Sequence, residues 1–325
     1  MQHLILSLRI LHNVSIPIQV FYAGKQDLIY DEIRILESLP NVSTHNVLDY
    51  FPAETRRWES WSIKPYAMLA SRFRRIVFLD ADVVLFQDPI AAVQRHPIFQ
   101  RTGQLFFRDR HVREERFLGG VELFHQMNRY PSQYSRGLGY TGAMEDGTSE
   151  THEMDSGFIA MDKGNFGVLM GLLLAAKMNA KIERDGVLYA KTYGDKESFW
   201  FASEVLRVPY GFNHAFGGVI GEKGDESQSK VCGISLLQLD SDMRPLHLNG
   251  GFLRERHVSP EKAQFIPFER IGLDLNGHVT WSTGHCLHGG AEGDVRSLNA
   301  KEKATLAILR GLFMKNLTVI PTTSG

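Results

Sequence analysis

The stretch Arg74-Arg75-Ile76-Val77-Phe78-Leu79-Asp80-Ala81-Asp82-Val83-Val84-Leu85-Phe86 decides the fold. Residues 75–79 (RIVFL) form a short apolar run with β-branched members, the pattern of a strand buried on both faces. The run delivers Asp80 and Asp82 to its carboxyl end, where ligands bind in open α/β sheets. Two carboxylates separated by one small residue suit a hard divalent cation with oxygen ligands. A cation so held bridges the two phosphates of a diphosphate and neutralises charge on a departing nucleotide. A bare Asp-x-Asp is common, and acids after a strand also cap the next helix. Its place behind a five-residue strand is what makes the pattern informative.

Outward from this stretch, strands and helices alternate. Residues 17–22 (PIQVFY) read as a strand closed by Gly24. Residues 3–12, 27–38 and 63–72 carry apolar side chains at helical spacing. The alternation predicts an α/β fold with a mostly parallel sheet flanked by helices. Downstream, residues 100–151 read as surface loops, with a charged stretch at 108–116 and a glycine-rich, mobile lid candidate at 136–147. Residues 156–161 predict a strand, 166–178 and 196–206 helices, and 231–239 and 245–248 further strands. Asn276-Gly277 predicts a hairpin joining 273–275 to 278–281, and 300–315 a closing amphipathic helix. With no internal repeat or low-complexity linker, residues 1–325 are expected to form a single domain.

The 325 residues carry a formal net charge of −1, which gives no electrostatic reason to expect a nucleic-acid partner. Hydrophobic residues at 43% and charged residues at 22% exclude a disordered chain. Cys232 and Cys286 fit no zinc spacing. Two buried thiols are the favoured reading over a single disulfide. Residues 1–10 lack a signal-peptide pattern, and no run reaches the roughly 18 apolar residues of a membrane span. Membrane contact is therefore expected only through an anchor outside this chain. Sequons at Asn13, Asn41 and Asn316 lean towards a secretory route.

Four other clusters carry candidate chemistry. Lys64 opens the helix before the acidic strand, which would bring its ammonium beside a bound diphosphate; a solvated lysine is the competing reading. Asp155 precedes Ser156-Gly157, small residues that permit close backbone approach to a ligand, so its carboxylate is a candidate for sugar hydroxyls. Glu197, or Asp195 beside it, could reach the reacting sugar, although acids in a first helical turn are also expected from the helix dipole. His247 is a candidate third metal ligand beside Asp80 and Asp82. Gly250 and Gly251 would admit backbone amides to a pyrophosphate.

Taken in order, these segments resemble a family. They are Lys64-Pro65-Tyr66-Ala67-Met68-Leu69-Ala70-Ser71, Phe78-Leu79-Asp80-Ala81-Asp82 with Asp88-Pro89, Gly103-Gln104-Leu105-Phe106-Phe107, Asp155-Ser156-Gly157, Lys196-Glu197-Ser198-Phe199-Trp200, and Arg244-Pro245 with Asn249-Gly250-Gly251. The set is similar to the fungal Golgi α-mannosyltransferases that extend mannan and protein-linked mannose chains, over about residues 3–255. Residues 256–325 are left as a C-terminal extension. The resemblance implies a GT-A catalytic domain of a type II membrane protein in the Golgi lumen. It implies transfer of mannose from GDP-mannose to a mannosylated glycan or glycoprotein, with retention of configuration and with Mn2+ or another divalent cation. Asp80 and Asp82 would bind metal and donor. Lys64, Asp155 and Glu197 would line the donor and acceptor pocket.

Two departures qualify this. An aromatic residue is common in the family where His247 stands, so the third ligand stays open between His247 and another residue such as Asp240. The GT-A fold also opens with a strand that touches the nucleotide base, whereas this chain starts at the following helix. A sheet lacking its first strand is therefore expected. Three rival readings remain. A glycogenin-like UDP-sugar transferase fits His247-Leu248-Asn249-Gly250. A catalytically impaired complex partner fits the lost strand. A haloacid-dehalogenase phosphatase shares Asp-x-Asp, but places it on the first strand.

Overall fold

The computed structural model describes residues 1–51, 60–110, 119–127, 132–133, 153–224, 229–253, 264–275, 279–282, 285–289 and 294–317. The chain opens with helix α1 (Gln2–Leu6), extended by a wider π turn over Ser7–Leu11. Strand β1 (Ile18–Tyr22), helix α2 (Tyr30–Glu37) and strand β2 (Val42–Asn46) form one βαβ unit, and β1 and β2 pair in parallel. Asp31 and Glu32 complement the N-terminal dipole of α2, and Glu32 accepts from the Ile29 amide at 3.1 Å.

Helix α3 (Ile63–Ala70) leads into β3 (Arg75–Leu79) and the two-residue β4 (Val84–Leu85). Helix α4 (Pro89–Arg95) starts with Pro89 at its first position and is capped by Asp88, which accepts from the Ile90 and Ala91 amides. Helix α5 (Pro97–Thr102) ends at Gly103, whose φ of 74° suits glycine. Strand β5 (Gln104–Arg108) and helix α6 (Gly119–Met127) follow. Strand β6 (Met154–Asp162) is buried at all nine positions. Helix α7 (Phe166–Met178), capped by Asn165, packs on α8 (Lys196–Val205).

The last third supplies β7 (Phe216–Lys223), β8 (Lys230–Cys232), β9 (Leu236–Leu239), β10 (Pro245–Asn249), β11 (Arg270–Asp274), β12 (Thr280–Ser282), β13 (Cys286–His288), β14 (Val295–Ser297) and the closing α9 (Ala300–Leu317).

The sheets correct the expected parallel architecture. β3 pairs antiparallel with β6, and β6 pairs antiparallel with β5. The nine-stranded sheet built around β7, β9, β10 and β11 is antiparallel throughout its described ladders. Among the described residues β1–β2 is the one parallel ladder. The apolar run of β3 also proves only partly buried, with Ile76 its single fully buried residue. Such a run specifies a strand but not its direction, because its partner lies some 80 residues away in sequence.

Three further expectations change. Residues 97–108 form α5 and the core strand β5 rather than surface loops. The lid candidate at 136–147 lies outside the described residues, as does most of 108–116. The segments flanking Asn276-Gly277 do not pair with each other: β11 pairs with β7 and β14, and β12 pairs with β13.

Two main cores result. One sets Phe106, Ile159, Met161, Leu172 and Trp200 between the β3–β6–β5 sheet and α7–α8. The other joins Val84, Leu237, Leu248 and Ile271 to Leu309 of α9.

Cys232 and Cys286 form a disulfide, contrary to the expected free thiols. They are directly opposed across the antiparallel β8–β13 pair, a proximity that their separation of 54 residues conceals in the sequence. Closing a loop of that length is worth about 4 kcal/mol in the chain-entropy account. Reduction should therefore lower the urea-derived unfolding free energy by about that amount, and Cys232→Ala/Cys286→Ala should reproduce the loss without reductant.

Candidate active site

A cleft of about 1360 Å³ opens between β1 and β3. Residues of both strands line it, yet among the described residues β1 pairs only with β2 and β3 only with β6. On one side Leu4 and Leu8 pack with Ile18 and Leu79. On the other, α3 sets Ala67 near Phe21 and Met68 near Ile76. The carboxylates of Asp80, Asp82, Asp155 and Asp195 line the same cleft, with Lys64, Ser156 and Asn249.

β3 aims Asp80 and Asp82 into this space. The Asp80 amide donates to the Gly157 carbonyl at 2.9 Å, and the Val83 amide to the Asp80 carbonyl at 3.1 Å, which turns the chain sharply after the strand. Lys64 Nζ, its side chain 7% exposed, donates to Asp80 Oδ2 at 2.8 Å, Ser156 Oγ at 3.0 Å and the Ser156 carbonyl at 3.3 Å. It also lies 3.9 Å from Asp195 Oδ1. Burial alone would lower the Lys64 pKa, but Asp195 and Asp80 outweigh it and hold the ammonium above its usual range. Burial pushes Asp80 up to about 6 against the pull of Lys64. It raises Asp195 as well, again opposed by Lys64.

Asp155, at the start of β6, accepts from Asn249 Nδ2 at 2.7 Å, the Gly157 amide at 3.0 Å and Gln238 Nε2 at 3.2 Å. Burial and then the Asp109 charge raise its pKa, opposed by these donors. Gly157 is required here, because a Cβ would stand 2.4 Å from the Asn249 amide nitrogen.

Several candidates fall elsewhere. Glu197, 3% exposed, is not among the cleft-lining residues. Its Oε1 accepts from the Glu153 amide at 3.1 Å, and its Oε2 accepts from the Trp200 indole. It ties α8 to β6 from behind the cleft, and burial raises its pKa to about 7 against the pull of Lys196. Glu197→Ala strands those buried donors and should cost about 3 kcal/mol or more of stability. Glu197→Gln should keep kcat per folded molecule within about tenfold, because the side chain lies off the cleft lining. A large fall in kcat at an unchanged urea midpoint would return it to the catalytic set.

His247, the candidate third ligand, is fully buried. The alternation of β10 turns it inward, where its ring stacks on Phe158 at 4.9 Å and meets Phe107 edge-on at 5.1 Å. Burial depresses its pKa to about 3, and Asp155 Oδ2 stands 3.9 Å from Nε2. Asp240 is bound to Arg244 at 2.7 Å and accepts the Arg244 amide at 2.9 Å, closing its own turn. Among the described residues no three His, Cys, Asp or Glu side chains gather as a metal group. Gly250 and Gly251 take left-handed backbone, φ 119° and 76°. A Cβ on Gly251 would lie 3.8 Å from the Asp82 carbonyl, so this turn packs behind the acid pair.

The donor set therefore contributes two carboxylates, Asp80 and Asp82. Such a pair could hold a small hard cation, which takes oxygen ligands. Asp195 Oδ2 is buried without a hydrogen-bond partner among the described residues, a further acceptor at the cleft wall. Sequence reasoning gave no role to Asn249, Gln238 or the Lys196–Asp109 pair at 2.7 Å. Asn249 was within reach, because it stands directly before the two glycines.

The cleft thus sets acidic side chains beside a buried lysine. Residues 1–240 match the Mannosyl_trans3 family, and the chain belongs to this mannosyltransferase family. The chain is 27% identical over 213 residues to alpha-1,3-mannosyltransferase MNT3 of Saccharomyces cerevisiae, covering 57% of this chain and 33% of that protein. It is 25% identical over 313 residues to alpha-1,3-mannosyltransferase MNN1 of the same yeast, covering 79% and 40%. The chain thus spans between a third and two fifths of the length of these relatives. A solved structure, the apo form of the bifunctional glycosyltransferase WbbM, aligns with 62% of this chain and 39% of that one at a TM-score of 0.33 and 14% identity.

Proposed function

We propose that the chain is the catalytic region of a retaining α-mannosyltransferase of GT-A type. It transfers mannose from GDP-mannose to a mannose-containing glycan or glycoprotein. The observation that carries this reading is the Lys64 bridge between Asp80, Ser156 and Asp195 at the carboxyl end of β3. It sets a fixed positive charge and an acid pair at one mouth, within a family of mannosyltransferases. The names of MNT3 and MNN1 favour an α-1,3 linkage.

Asp80 and Asp82 are the residues that would hold Mn2+ or a related cation, which when bound adds positive charge against the diphosphate. Lys64 adds a second charge from the protein. Asp155, fixed by Asn249 and Gln238, accepts hydroxyls of the transferred sugar and faces the positive charge that develops at its anomeric carbon. Asp195, which lines the cleft, takes the second acidic position that the sequence left open between it and Glu197. The acceptor hydroxyl attacks from the face of the leaving group, and its proton passes to the departing phosphate oxygen.

The disulfide supports an oxidising compartment. That favours the Golgi lumen, reached as a type II membrane protein. Among the described residues no helix is long and apolar enough to cross a membrane. The packing of His247 against Phe107 and Phe158 weighs against the glycogenin-like UDP-sugar reading, which draws on that histidine as well as on Asp-x-Asp.

Thermal unfolding with GDP or UDP, each with and without Mn2+, tests the reading. A ligand of the native state at a hundredfold excess over its dissociation constant adds about 2.7 kcal/mol. GDP with Mn2+ should raise the melting temperature and UDP should not. Protection by UDP alone would overturn the donor assignment.

A further inference from the structure

We propose that Trp61 and Tyr193 form an aromatic platform for a pyranose ring of the acceptor glycan, an inference that rests on the transferase reading. The two rings lie 5.4 Å apart at 39°. They are 41% and 42% exposed, and both line the cleft that holds the carboxylates. Large aromatic side chains on view inside a cleft are what a weakly polar ligand face needs. A pyranose presents a patch of C–H groups ringed by hydroxyls, so it stacks on an aromatic face and hydrogen-bonds at its rim.

The platform is a built feature. Gly194 takes φ 73°, and a Cβ there would approach Trp61 Cε3 to 2.8 Å, so only glycine lets the indole lie against this turn. Beside the rings, Lys196 Nζ sits 5.1 Å from the Tyr193 centroid and pairs with Asp109 at 2.7 Å. The pair offers both a donor and an acceptor to rim hydroxyls.

Position decides between a sugar and a nucleotide base as the occupant. Trp61 stands three residues before Lys64, and Tyr193 two residues before Asp195. The platform therefore lines the same cleft as the carboxylates, where the transferase reading places the glycosidic bond. A base is held away from that point by the ribose and the diphosphate. The transferred mannose lies inside, against Asp155, so the ring at the exposed mouth belongs to the acceptor.

The test uses α-linked mannobiose without donor, followed by saturation-transfer NMR, and GDP with Mn2+ followed by thermal shift. Wild type is compared with Trp61→Ala, Tyr193→Ser and the conservative Trp61→Phe, with urea midpoints as the folding control. Trp61→Ala should weaken mannobiose binding about tenfold, a step of 1.4 kcal/mol in affinity. Trp61→Phe should restore most of it, and the GDP shift should stay at the wild-type value. In turnover the loss should appear in the acceptor KM rather than in kcat.

Loss of the GDP shift with mannobiose binding intact would make the platform a base-stacking site and overturn the proposal. Mannobiose binding that is absent in wild type, or equal in all variants, would overturn it too. Mannobiose binding that depends on Trp61 in a protein ignoring GDP would leave the platform standing and sink the donor assignment instead.

Discussion

Asp82→Ala lowers kcat/KM for mannosyl transfer by about a thousandfold, while its urea midpoint stays close to wild type. The size follows from what the acid pair supplies. A cation stabilising a leaving diphosphate contributes several kcal/mol to the transition state, and each 1.36 kcal/mol is about tenfold in rate. Asp82 is the better of the two aspartates to change. It is half-buried, and the buried ammonium of Lys64 rests on Asp80 instead. Asp80→Ala would confound lost chemistry with lost stability. The same Asp82→Ala protein should lose the melting shift produced by GDP with Mn2+. Asp82→Asn, which keeps one oxygen donor, should fall between the two and need more Mn2+ for half-maximal rate. A loss smaller than tenfold in Asp82→Ala would mean that the acid pair is not the donor site.

Local pattern placed the acid pair, while the partners of the surrounding charges stayed hidden. β3 was legible at both ends because an apolar run stops at an acid, and α7 because Asn165 caps an apolar stretch ending before Asn179. Strand direction was not legible, since no local feature of residues 75–79 names β6 as their neighbour. Arg108 misled for a related reason. A charge at the end of β5 reads as surface, but its guanidinium pairs with Glu153 and lies 4.7 Å over the Phe216 ring. Paired buried charges and solvated ones look alike in a sequence. Glu197 and His247 show the same thing. Each residue type suits catalysis or ligation, and in the fold each also meets distant elements that the sequence does not name: the Glu153 and Met154 amides in one case, the Phe107 and Phe158 rings in the other. Asp155 and Lys64 were readable because small residues or a helix start beside them already implied a ligand or an edge.

Lys64→Met costs about 3 to 5 kcal/mol of folding stability near pH 8, the range expected when one partner of a buried ionic cluster is removed. The variant leaves Asp80 and Asp195 facing an apolar side chain in place of an ammonium. Burial already lifts both carboxyls above their ordinary range with the lysine present, Asp80 to about 6. Without its charge they rise further. A carboxyl whose folded pKa exceeds its unfolded value binds a proton more readily in the native state, so stability falls as pH rises through that window. The deficit of the variant is therefore largest above the folded pKa values. It shrinks as pH falls below the folded values, where the native carboxyls of both proteins are neutral. Urea unfolding at pH 5 and pH 8 measures this, and the gap between wild type and Lys64→Met should close substantially at the lower pH. Equal deficits at both would assign the loss to packing around the lysine stem rather than to its charge. Lys64→Arg separates the roles further. It restores the charge but not the compact ammonium that reaches Asp80 and Ser156 together, so stability should recover in part while transfer stays impaired.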